Sequence, residues 1–228
     1  MKKMNYPADY AVLSNEEMTY TTGGGAVDDA ASLATTAATV VGAVVLASSY
    51  IWGIKQARTW LQQDGNKDGN FFTVMGRATD AIAAVEAACF PAAEAATKEE
   101  FAGRLTHYAD HFWLLFEDEK LVSFVDGFVT DTPDLTDEMY ADASLHDAHG
   151  AWQMIFGVNT LPEYRKQGLA GQLLRRAIAD AKAQGRRGLV LTCKDRLVHY
   201  YAGFGFVSEG VSGSTHGGVV WYQMRLTF

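Results

Sequence analysis

The chain has 228 residues, 48% of them hydrophobic and 12% aromatic, which is enough to bury one sizeable core with an appendage and excludes a disordered chain. Its formal net charge of −8 argues against a nucleic-acid partner, because contacts to phosphates dominate that kind of affinity. The two cysteines, Cys89 and Cys193, lie in stretches that are predicted to be buried, so we expect reduced thiols and a cytoplasmic location.

The charged residues are unevenly distributed along the chain. Residues 71–151 carry 4 basic and 16 acidic side chains, whereas residues 152–228 carry 10 basic and 4 acidic ones. Two halves of opposite charge favour two ligands of opposite charge, an anion on the basic half and a cationic amine on the acidic half. The alternative is an acidic surface that is only solvated.

The first 70 residues differ in composition from the rest and are predicted to form an N-terminal extension. Residues 30–54 contain no charged side chain and are numerous enough to cross a bilayer. Small residues outnumber strongly apolar ones, so three interpretations stand: a small-residue helical hairpin, a weak membrane anchor, or a helix packed on the next domain. A polar, glycine-punctuated linker at residues 62–70 places the domain boundary at residue 70.

From residue 71 to residue 228 the pattern is that of one α/β domain. Residues 71–77 are predicted as the first strand, and the next stretch as a helix with Ile82, Val85 and Cys89 on one face. A capping box that begins at Thr97 predicts a second helix. The remaining predicted elements, in chain order, are strands at 112–116 and 121–129, a short helix near 135–143, a central strand at 153–160, a helix at 169–184, a strand at 189–193, a helix at 196–204 and strands at 206–211 and 219–226.

The central strand leads through a short glycine loop into the next helix. Apolar residues from Leu169 onward recur at three- and four-residue steps, so the helix must begin at the loop itself. The first turn of such a helix has N–H groups without helical partners, and the helix dipole adds positive potential there. Gly168 and Gly171 have no β-carbon to keep an anion away, and Arg165 and Lys166 add positive charge. The loop is therefore predicted to bind a phosphate group.

The pattern Arg165-x-x-Gly168-x-Ala170 resembles the pyrophosphate-binding loop of the GNAT superfamily of acyl-CoA-dependent N-acyltransferases. A second stretch, residues 191–206, resembles the strand, short helix and Tyr-x-x-Phe-Gly-Phe ending of the same fold. It is most similar to the arylalkylamine (serotonin-type) N-acetyltransferases. The resemblance covers roughly residues 71–228 and implies a mixed, mostly antiparallel twisted sheet flanked by helices.

This resemblance implies acetyl-CoA as the cosubstrate and no metal. The pyrophosphate would contact Arg165 and Lys166 and the backbone amides of Gln167, Gly168, Leu169, Ala170 and Gly171. The pantetheine arm would pair with the backbone of Phe156, Gly157 and Val158, and one of these amides would bind the carbonyl oxygen of the acetyl group.

The implied reaction is acetyl transfer to a primary amine, small or aralkyl. Alignment of the Tyr-x-x-Phe-Gly-Phe motif makes Tyr201 the acid for the departing thiolate, with Tyr200 as the competing candidate. The serotonin-type enzymes place two histidines on the central strand, where this chain has Trp152 and Met154. We therefore predict Glu94, in the loop after the first helix, as the base, because partial burial can bring the pKa of a carboxylate near neutrality.

Several further residues are candidates for the acceptor side of the site. The alternatives for the base are Asp126, His146, His149 and His216. His216, in the glycine-rich loop 212–218, is also predicted to contact the amine, and Trp152 is predicted to line an aromatic acceptor pocket with Trp113 and Trp221. The competing interpretation is an ordinary hairpin loop and tryptophans that fill the core.

Residues 12–24 resemble the double-glycine leader of bacteriocin-type peptide precursors, with Leu-Ser, Glu-Met and Gly23-Gly24 at matching offsets. In that family an exporter cuts after the second glycine. The resemblance implies a peptide precursor fused to an acetyltransferase that modifies it or a sibling peptide; the alternative is a helix that ends at a glycine cap. A further alternative for the whole chain is a non-catalytic acyl-CoA sensor, which the missing histidines favour.

Overall fold

A computed structural model describes residues 50–53, 71–117 and 120–228. The predicted leader and most of the uncharged stretch lie outside these residues. The described helices and strands are, in chain order, β1 (Tyr50–Gly53), α1 (Phe71–Cys89), α2 (Lys98–Tyr108), β2 (Phe112–Glu117), β3 (Lys120–Asp126), β4 (Val129–Thr130), α3 (Asp137–Ala141), β5 (Trp152–Ile155), β6 (Gly157–Thr160), α4 (Leu169–Ala183), β7 (Gly188–Cys193), α5 (Val198–Ala202), β8 (Val207–Val211) and β9 (Tyr222–Thr227).

The described strands form two sheets, with the order β1-β2-β3-β6 in the first and β4-β5-β7-β9-β8 in the second. Neighbouring strands are antiparallel, except β5 and β7, which are parallel. The predicted mixed and mostly antiparallel sheet, flanked by helices, is therefore confirmed.

The first strand of the sheet is not where the sequence pattern placed it. Residues 71–77 were predicted as a strand, but they form the first two turns of α1. A short apolar run is compatible with either structure, and here it continues the periodic pattern of the helix that follows. Strand β1 instead lies at the end of the uncharged stretch and pairs with β2 from Tyr50–Phe116 to Gly53–Trp113. Its aromatic and β-branched residues favour a strand.

Two hydrophobic cores lie on opposite faces of the first sheet. Helices α1 and α2 cover one face, where Ile82 and Phe101 pack against alternate residues of β2 and β3, such as Phe124. Helix α4 covers the other face through Leu173 and Leu174. The capping box predicted at the start of α2 is present and begins that helix at Lys98.

The predicted central strand is divided into two strands at Phe156. The part before it, β5, pairs with β7 up to Ile155–Leu191, whereas the part after it, β6, pairs with β3. Beyond Phe156, strands β6 and β7 are therefore not hydrogen-bonded to each other, and the sheet opens between them.

Candidate active site

One cavity of about 670 Å³ lies at this opening. Its walls are the loop between α1 and α2, strand β6, the loop before α4, the end of β7 and helix α5. The acidic residues in the lining are Glu86, Glu94 and Glu100, which come from α1, α2 and the loop between them. Arg165 and Lys166 line it from the loop before α4. The acidic and the basic half of the domain thus contribute to the same cavity.

The loop before α4 has the geometry expected for anion binding. Gly168 caps the helix with a φ of 78°, and Lys166 has a φ of 64°, so both lie in the left-handed region. The first helical hydrogen bond runs from the Gln172 N–H to the Gly168 carbonyl over 3.1 Å. The N–H groups of residues 169–171 come before this bond and have no helical acceptor. Gly168, Leu169 and Ala170 line the cavity, so a ligand has access to the first two of these groups, whereas Gly171 is buried.

The left-handed conformation of Lys166 is unusual for a residue other than glycine and costs on the order of 1 kcal/mol. Such conformations cluster at ligand sites. Arg165 donates from Nε to the Thr160 carbonyl over 3.1 Å, which positions its guanidinium beside β6. Among the predicted loop residues, Arg165, Lys166, Gly168, Leu169 and Ala170 line the cavity; Gln167 and Gly171 do not.

The absence of a side chain at Gly157 and Gly171 is explained by packing. A β-carbon at Gly157 would lie 2.6 Å from Asp126 Oδ1 and 2.7 Å from Asn159 Nδ2. A β-carbon at Gly171 would lie 3.2 Å from Cζ of Phe204. This corrects the expectation that a missing β-carbon at Gly171 gives a phosphate room, because that side of the helix packs on an aromatic ring.

The free edge of β6 faces the cavity. The Leu161 N–H donates to the Val122 carbonyl over 2.9 Å, so the main-chain groups of Leu161 point toward β3. These groups alternate in direction from one residue to the next along an antiparallel strand. The N–H and carbonyl of Val158, three residues earlier, therefore point away from β3 into the opening. The Phe156 N–H, by contrast, donates to the Asp126 carbonyl over 2.8 Å. Of the residues predicted to pair with a pantetheine arm, Val158 is thus the one whose main-chain groups face the open edge. The amide of Phe156 is not free to pair, because it already donates to Asp126.

Helix α5 places both candidate tyrosines in the lining of the cavity. Tyr201 is 6% exposed and Tyr200 is 39% exposed. Burial raises the pKa of the Tyr201 hydroxyl above its ordinary value, so this side chain keeps its proton at neutral pH. It is therefore suited to donate a proton.

Glu94, in the loop between α1 and α2, belongs to a network of polar and aromatic side chains at one wall of the cavity. Its two carboxylate oxygens each lie 2.9 Å from Nζ of Lys194. His216 places Nε2 3.0 Å from the Glu94 carbonyl oxygen, and its ring stacks on Tyr140 with centroids 5.2 Å apart. Trp221 donates from Nε1 to the His216 carbonyl over 2.8 Å. Both His216 and Trp221 line the cavity.

The other candidates for the base do not line the cavity. Asp126 is fully buried and forms an ion pair with Arg104, with Oδ2 and Nη1 2.9 Å apart. His146 has its Nδ1 3.1 Å from the Val129 N–H. His149 is exposed.

Trp152 does not reach the cavity, which corrects its predicted role in an acceptor pocket. Its strand, β5, is paired on both sides, so its side chain lies on a face of the sheet and not at the opening. The ring packs under the guanidinium groups of Arg225 and Arg187, at 4.7 and 5.3 Å from its centroid. Trp113 is in the core as well, whereas Trp221 lines the cavity.

Sequence reasoning missed Glu86, which the structure places in the lining of the cavity with 5% exposure. Burial and the nearby charge of Asp126 raise its pKa to about 7. A signal was present in the sequence: the periodicity that puts Ile82, Val85 and Cys89 on one helical face also puts Glu86 there.

Within the described ranges, no group of three or more His, Cys, Asp or Glu side chains is arranged to hold a metal ion. None of the helices in that part of the chain combines the length and the hydropathy that a bilayer crossing requires.

Residues 79–206 match the family model described as Acetyltransferase (GNAT) family. Serotonin N-acetyltransferase from Mesocricetus auratus is 31% identical to this chain over 111 residues, which are 48% of this chain and 52% of that protein. The chain thus spans about half the length of this curated relative.

Two solved structures share the fold. The GNAT-like decarboxylase GphF, in complex with isobutyryl-CoA, has a TM-score of 0.58 at 21% identity, over 67% of this chain and 95% of that one. The PaiA N-acetyltransferase of Thermoplasma acidophilum, in complex with coenzyme A, has a TM-score of 0.50 at 15% identity, over 67% of this chain and 94% of that one.

Proposed function

Because this chain belongs to the GNAT acetyltransferase family, we propose that it transfers an acetyl group from acetyl-CoA to a primary amine, small or aralkyl. The observation that carries the proposal is that one cavity joins three features: the N–H groups of Leu169 and Ala170, which have no helical acceptor, the open edge of β6, and Tyr201. The similarity to a serotonin N-acetyltransferase supports an aralkyl amine as the acceptor.

The residues of the cavity suit the phosphates and the pantetheine arm of the coenzyme. The amides of Leu169 and Ala170 would bind the pyrophosphate, assisted by the helix dipole and by the charges of Arg165 and Lys166. The backbone of Val158 would pair with the amide groups of the arm, as an added strand does. When bound, the coenzyme supplies the activated acetyl thioester.

The same residues can polarise the thioester and protonate the leaving group. The Val158 N–H would donate to the carbonyl oxygen, whose negative charge grows as the tetrahedral stage forms. Tyr201 would donate its proton to the thiolate when the carbon–sulfur bond breaks. Glu94 is the base that the sequence pattern predicts, and its carboxylate is ion-paired with Lys194.

Calorimetric titration of the full-length protein with acetyl-CoA, followed by thiol release over an amine panel, tests this proposal. The panel contains 2-phenylethylamine, tryptamine and spermidine. We expect one binding site for the coenzyme and amine-dependent thiol release with at least one acceptor. If the coenzyme does not bind, the proposed site is wrong.

The alternative is a non-catalytic sensor of acyl-CoA. One observation favours it: Trp152 and Met154 occupy the strand positions of the histidines in the serotonin-type enzymes, and both are buried. A sensor would bind acetyl-CoA but release no thiol with any amine of the panel.

A finer alternative concerns the N-terminal extension, residues 1–70, which would be a leader-bearing peptide precursor fused to the acetyltransferase domain at 71–228. Mass spectrometry of the protein from producing cells should then find a cut after Gly24. An intact N-terminus would contradict this interpretation. We propose the cytoplasm as the location, because Cys89 and Cys193 are both free thiols.

A further inference from the structure

Glu86 is a buried carboxyl group with one oxygen unused. Its Oε1 accepts a hydrogen bond from the Ala96 N–H at 3.2 Å, near the end of the loop between α1 and α2. Its Oε2 is buried and makes no hydrogen bond of ordinary length and angle in the described part of the chain, although the Asn159 amide on β6 lies close enough to lower the pKa of Glu86. An unpaired buried oxygen of this kind is costly, and the side chain lines the cavity. Oε2 is therefore the atom left for a ligand.

A layer of polar side chains lies behind Glu86. Asn159, on β6, is fully buried, and both atoms of its amide group lack partners in the described part of the chain. Asp126, on β3, is ion-paired through Oδ2 to Arg104; its Oδ1 makes no hydrogen bond of ordinary length and angle in the described part of the chain, although the Gly157 N–H lies close enough to lower the pKa of this carboxyl. The side chains of Asp126 and Asn159 pack directly against Gly157, where a β-carbon would collide with both of them. This polar layer therefore contacts β6, the strand along which the pantetheine arm is proposed to lie.

The charges around Glu86 leave an excess of negative charge. Asp126 on β3 and Arg104 on α2 are the charged groups that influence it, and Cys89 lies one turn further along α1. Two carboxylates face one guanidinium when all three groups are ionised. An ammonium group placed beside Glu86 would balance this excess, whereas a neutral or anionic acceptor would not.

We propose that Glu86 is the general base of the acetyl transfer and that its Oε2 receives the ammonium group of the acceptor. This inference rests on the proposed function and assigns to it a residue other than Glu94. Glu94 is less suited to the role, because Lys194 already balances the charge of its carboxylate: Nζ lies 2.9 Å from each oxygen, although Oε2 of Glu94, like that of Glu86, is buried without a hydrogen bond of ordinary geometry in the described part of the chain.

The protonation properties of Glu86 agree with this role. Desolvation is the main cause that raises its pKa, and the charge of Asp126 adds to it. The Ala96 N–H, Arg104 and the Asn159 amide oppose it, and the resulting pKa is about 7. A general base works best when its pKa lies near the operating pH. At neutral pH a substantial fraction of Glu86 is therefore ionised and able to accept a proton.

The proton balance of the reaction is as follows. Glu86 takes one proton from the ammonium, and the lone pair that this exposes on nitrogen forms the carbon–nitrogen bond. The carbon–sulfur bond then breaks, and Tyr201 gives its proton to the thiolate. The second proton on nitrogen restores Tyr201, and Glu86 releases its proton to solvent. Ammonium and thioester thus yield amide, thiol and one proton.

The test compares Glu86→Gln with Glu99→Gln in the full-length protein. Glutamine keeps the acceptor oxygen for the Ala96 N–H and removes only the ionisable oxygen, so Glu86→Gln should fold. Glu99 is exposed, lies on α2 and does not line the cavity, and its substitution makes the same change in net charge. With 2-phenylethylamine at pH 7.5, we expect Glu86→Gln to lower kcat/KM roughly 100-fold and Glu99→Gln to leave it unchanged.

The pH profile separates a base from a residue that only supports the structure. Wild-type kcat/KM should rise with pH through an apparent pKa near 7. The Glu86→Gln profile should lose this inflection and rise about tenfold per pH unit toward the pKa of the amine, because only the neutral amine then reacts. The Kd for acetyl-CoA should be the same in both proteins. An unchanged profile in Glu86→Gln, with an active wild type, would overturn the assignment.

A binding measurement keeps the two proposals distinguishable. The Kd of 2-phenylethylamine for the protein saturated with coenzyme A at pH 8 should increase at least tenfold in Glu86→Gln. If the wild-type protein releases thiol with none of the amines, the acetyltransferase proposal fails. If, in addition, its Kd for 2-phenylethylamine equals that of Glu86→Gln, the role of Glu86 fails with it.

Discussion

Tyr201 combines burial with a place in the lining of the cavity, and its hydroxyl is the one we expect to protonate the thiolate. We predict that Tyr201→Phe lowers kcat at least tenfold at neutral pH and leaves the Kd for acetyl-CoA unchanged. The physical reason is that phenylalanine fills the same space but has no proton to donate. Steady-state thiol release and calorimetry measure the two quantities.

Tyr200→Phe is the matched control for this substitution. Tyr200 is the adjacent residue on the same short helix, it also lines the cavity, and it is much more exposed. A loss of kcat in Tyr200→Phe and not in Tyr201→Phe would transfer the role to Tyr200.

The buried carboxyl of Glu86 should also make stability depend on pH. Its pKa is about 7 in the folded protein against 4.5 for the free side chain, so the unfolded chain loses this proton at lower pH. The contribution to stability is therefore complete below pH 4.5 and is lost as the pH rises through 7. Glu86→Gln removes this dependence, and relative to wild type it should gain about 2–3 kcal/mol between pH 5 and pH 8.

Urea unfolding of both proteins at pH 5 and at pH 8 measures this gain, and the comparison cancels the contributions of all other groups. An equal difference in the free energy of unfolding at the two pH values would mean that the carboxyl is not held neutral in the folded protein.

At the level of secondary structure, α4 is the element that makes the proposed coenzyme site, and it is flanked by two glycines with similar conformations. Gly168 precedes the helix with a φ of 78°, and Gly185 follows it with a φ of 74°. Both are exposed, and a β-carbon at Gly185 would meet open space. Their positions at opposite ends of one helix allow a matched comparison of the two ends.

We predict that Gly168→Ala and Gly185→Ala each destabilise the protein by about 1 kcal/mol, because alanine is strained at positive φ. Only Gly168→Ala should also weaken acetyl-CoA binding, by at least tenfold, since the pyrophosphate is expected at that end of the helix. Calorimetry gives the Kd values, and thermal unfolding gives the stabilities. Equal coenzyme affinity in the two variants would contradict the proposed pyrophosphate site.

At the level of the whole molecule, the two sheets and both helical layers contribute to one cavity. The edge of the first sheet is formed by β1, a strand that lies far from β2 in the sequence. Strand β1 covers the edge of β2 and lies before the proposed domain boundary at residue 70. All of the described residues that line the cavity fall between Glu86 and Trp221. The boundary thus keeps the whole cavity in one domain and leaves β1 outside it.

A chain that begins at Asn70 should therefore bind acetyl-CoA with the affinity of the full-length protein. It should be less stable and more prone to aggregate than a chain that begins at Ser49, because the edge of β2 is then exposed. Thermal unfolding and light scattering compare the two chains. Loss of coenzyme binding from the shorter chain alone would place the domain boundary before β1.

The local patterns of the sequence determined the loop before α4, the capping box of α2 and the existence of most helices and strands. These features depend on residues within about one or two turns of each other, so their signal is contained in a short window. The glycine at the start of α4 and the motif around Tyr201 are of this kind. For the same reason the prediction of a strand at residues 71–77 was wrong, since an apolar run in a short window is compatible with a strand and with a helix.

Only the tertiary structure decided which of these groups act together. Trp152 lies on a covered face of the sheet because β5 has partners on both sides, and Val158 faces the opening because β6 has a partner on one side. The pKa of Glu86 depends on Asp126 and Arg104, which two other elements bring beside it, and on the loss of water around it. Desolvation and the pairing of strands arise from contacts between distant parts of the chain, and they exist only once the chain has folded.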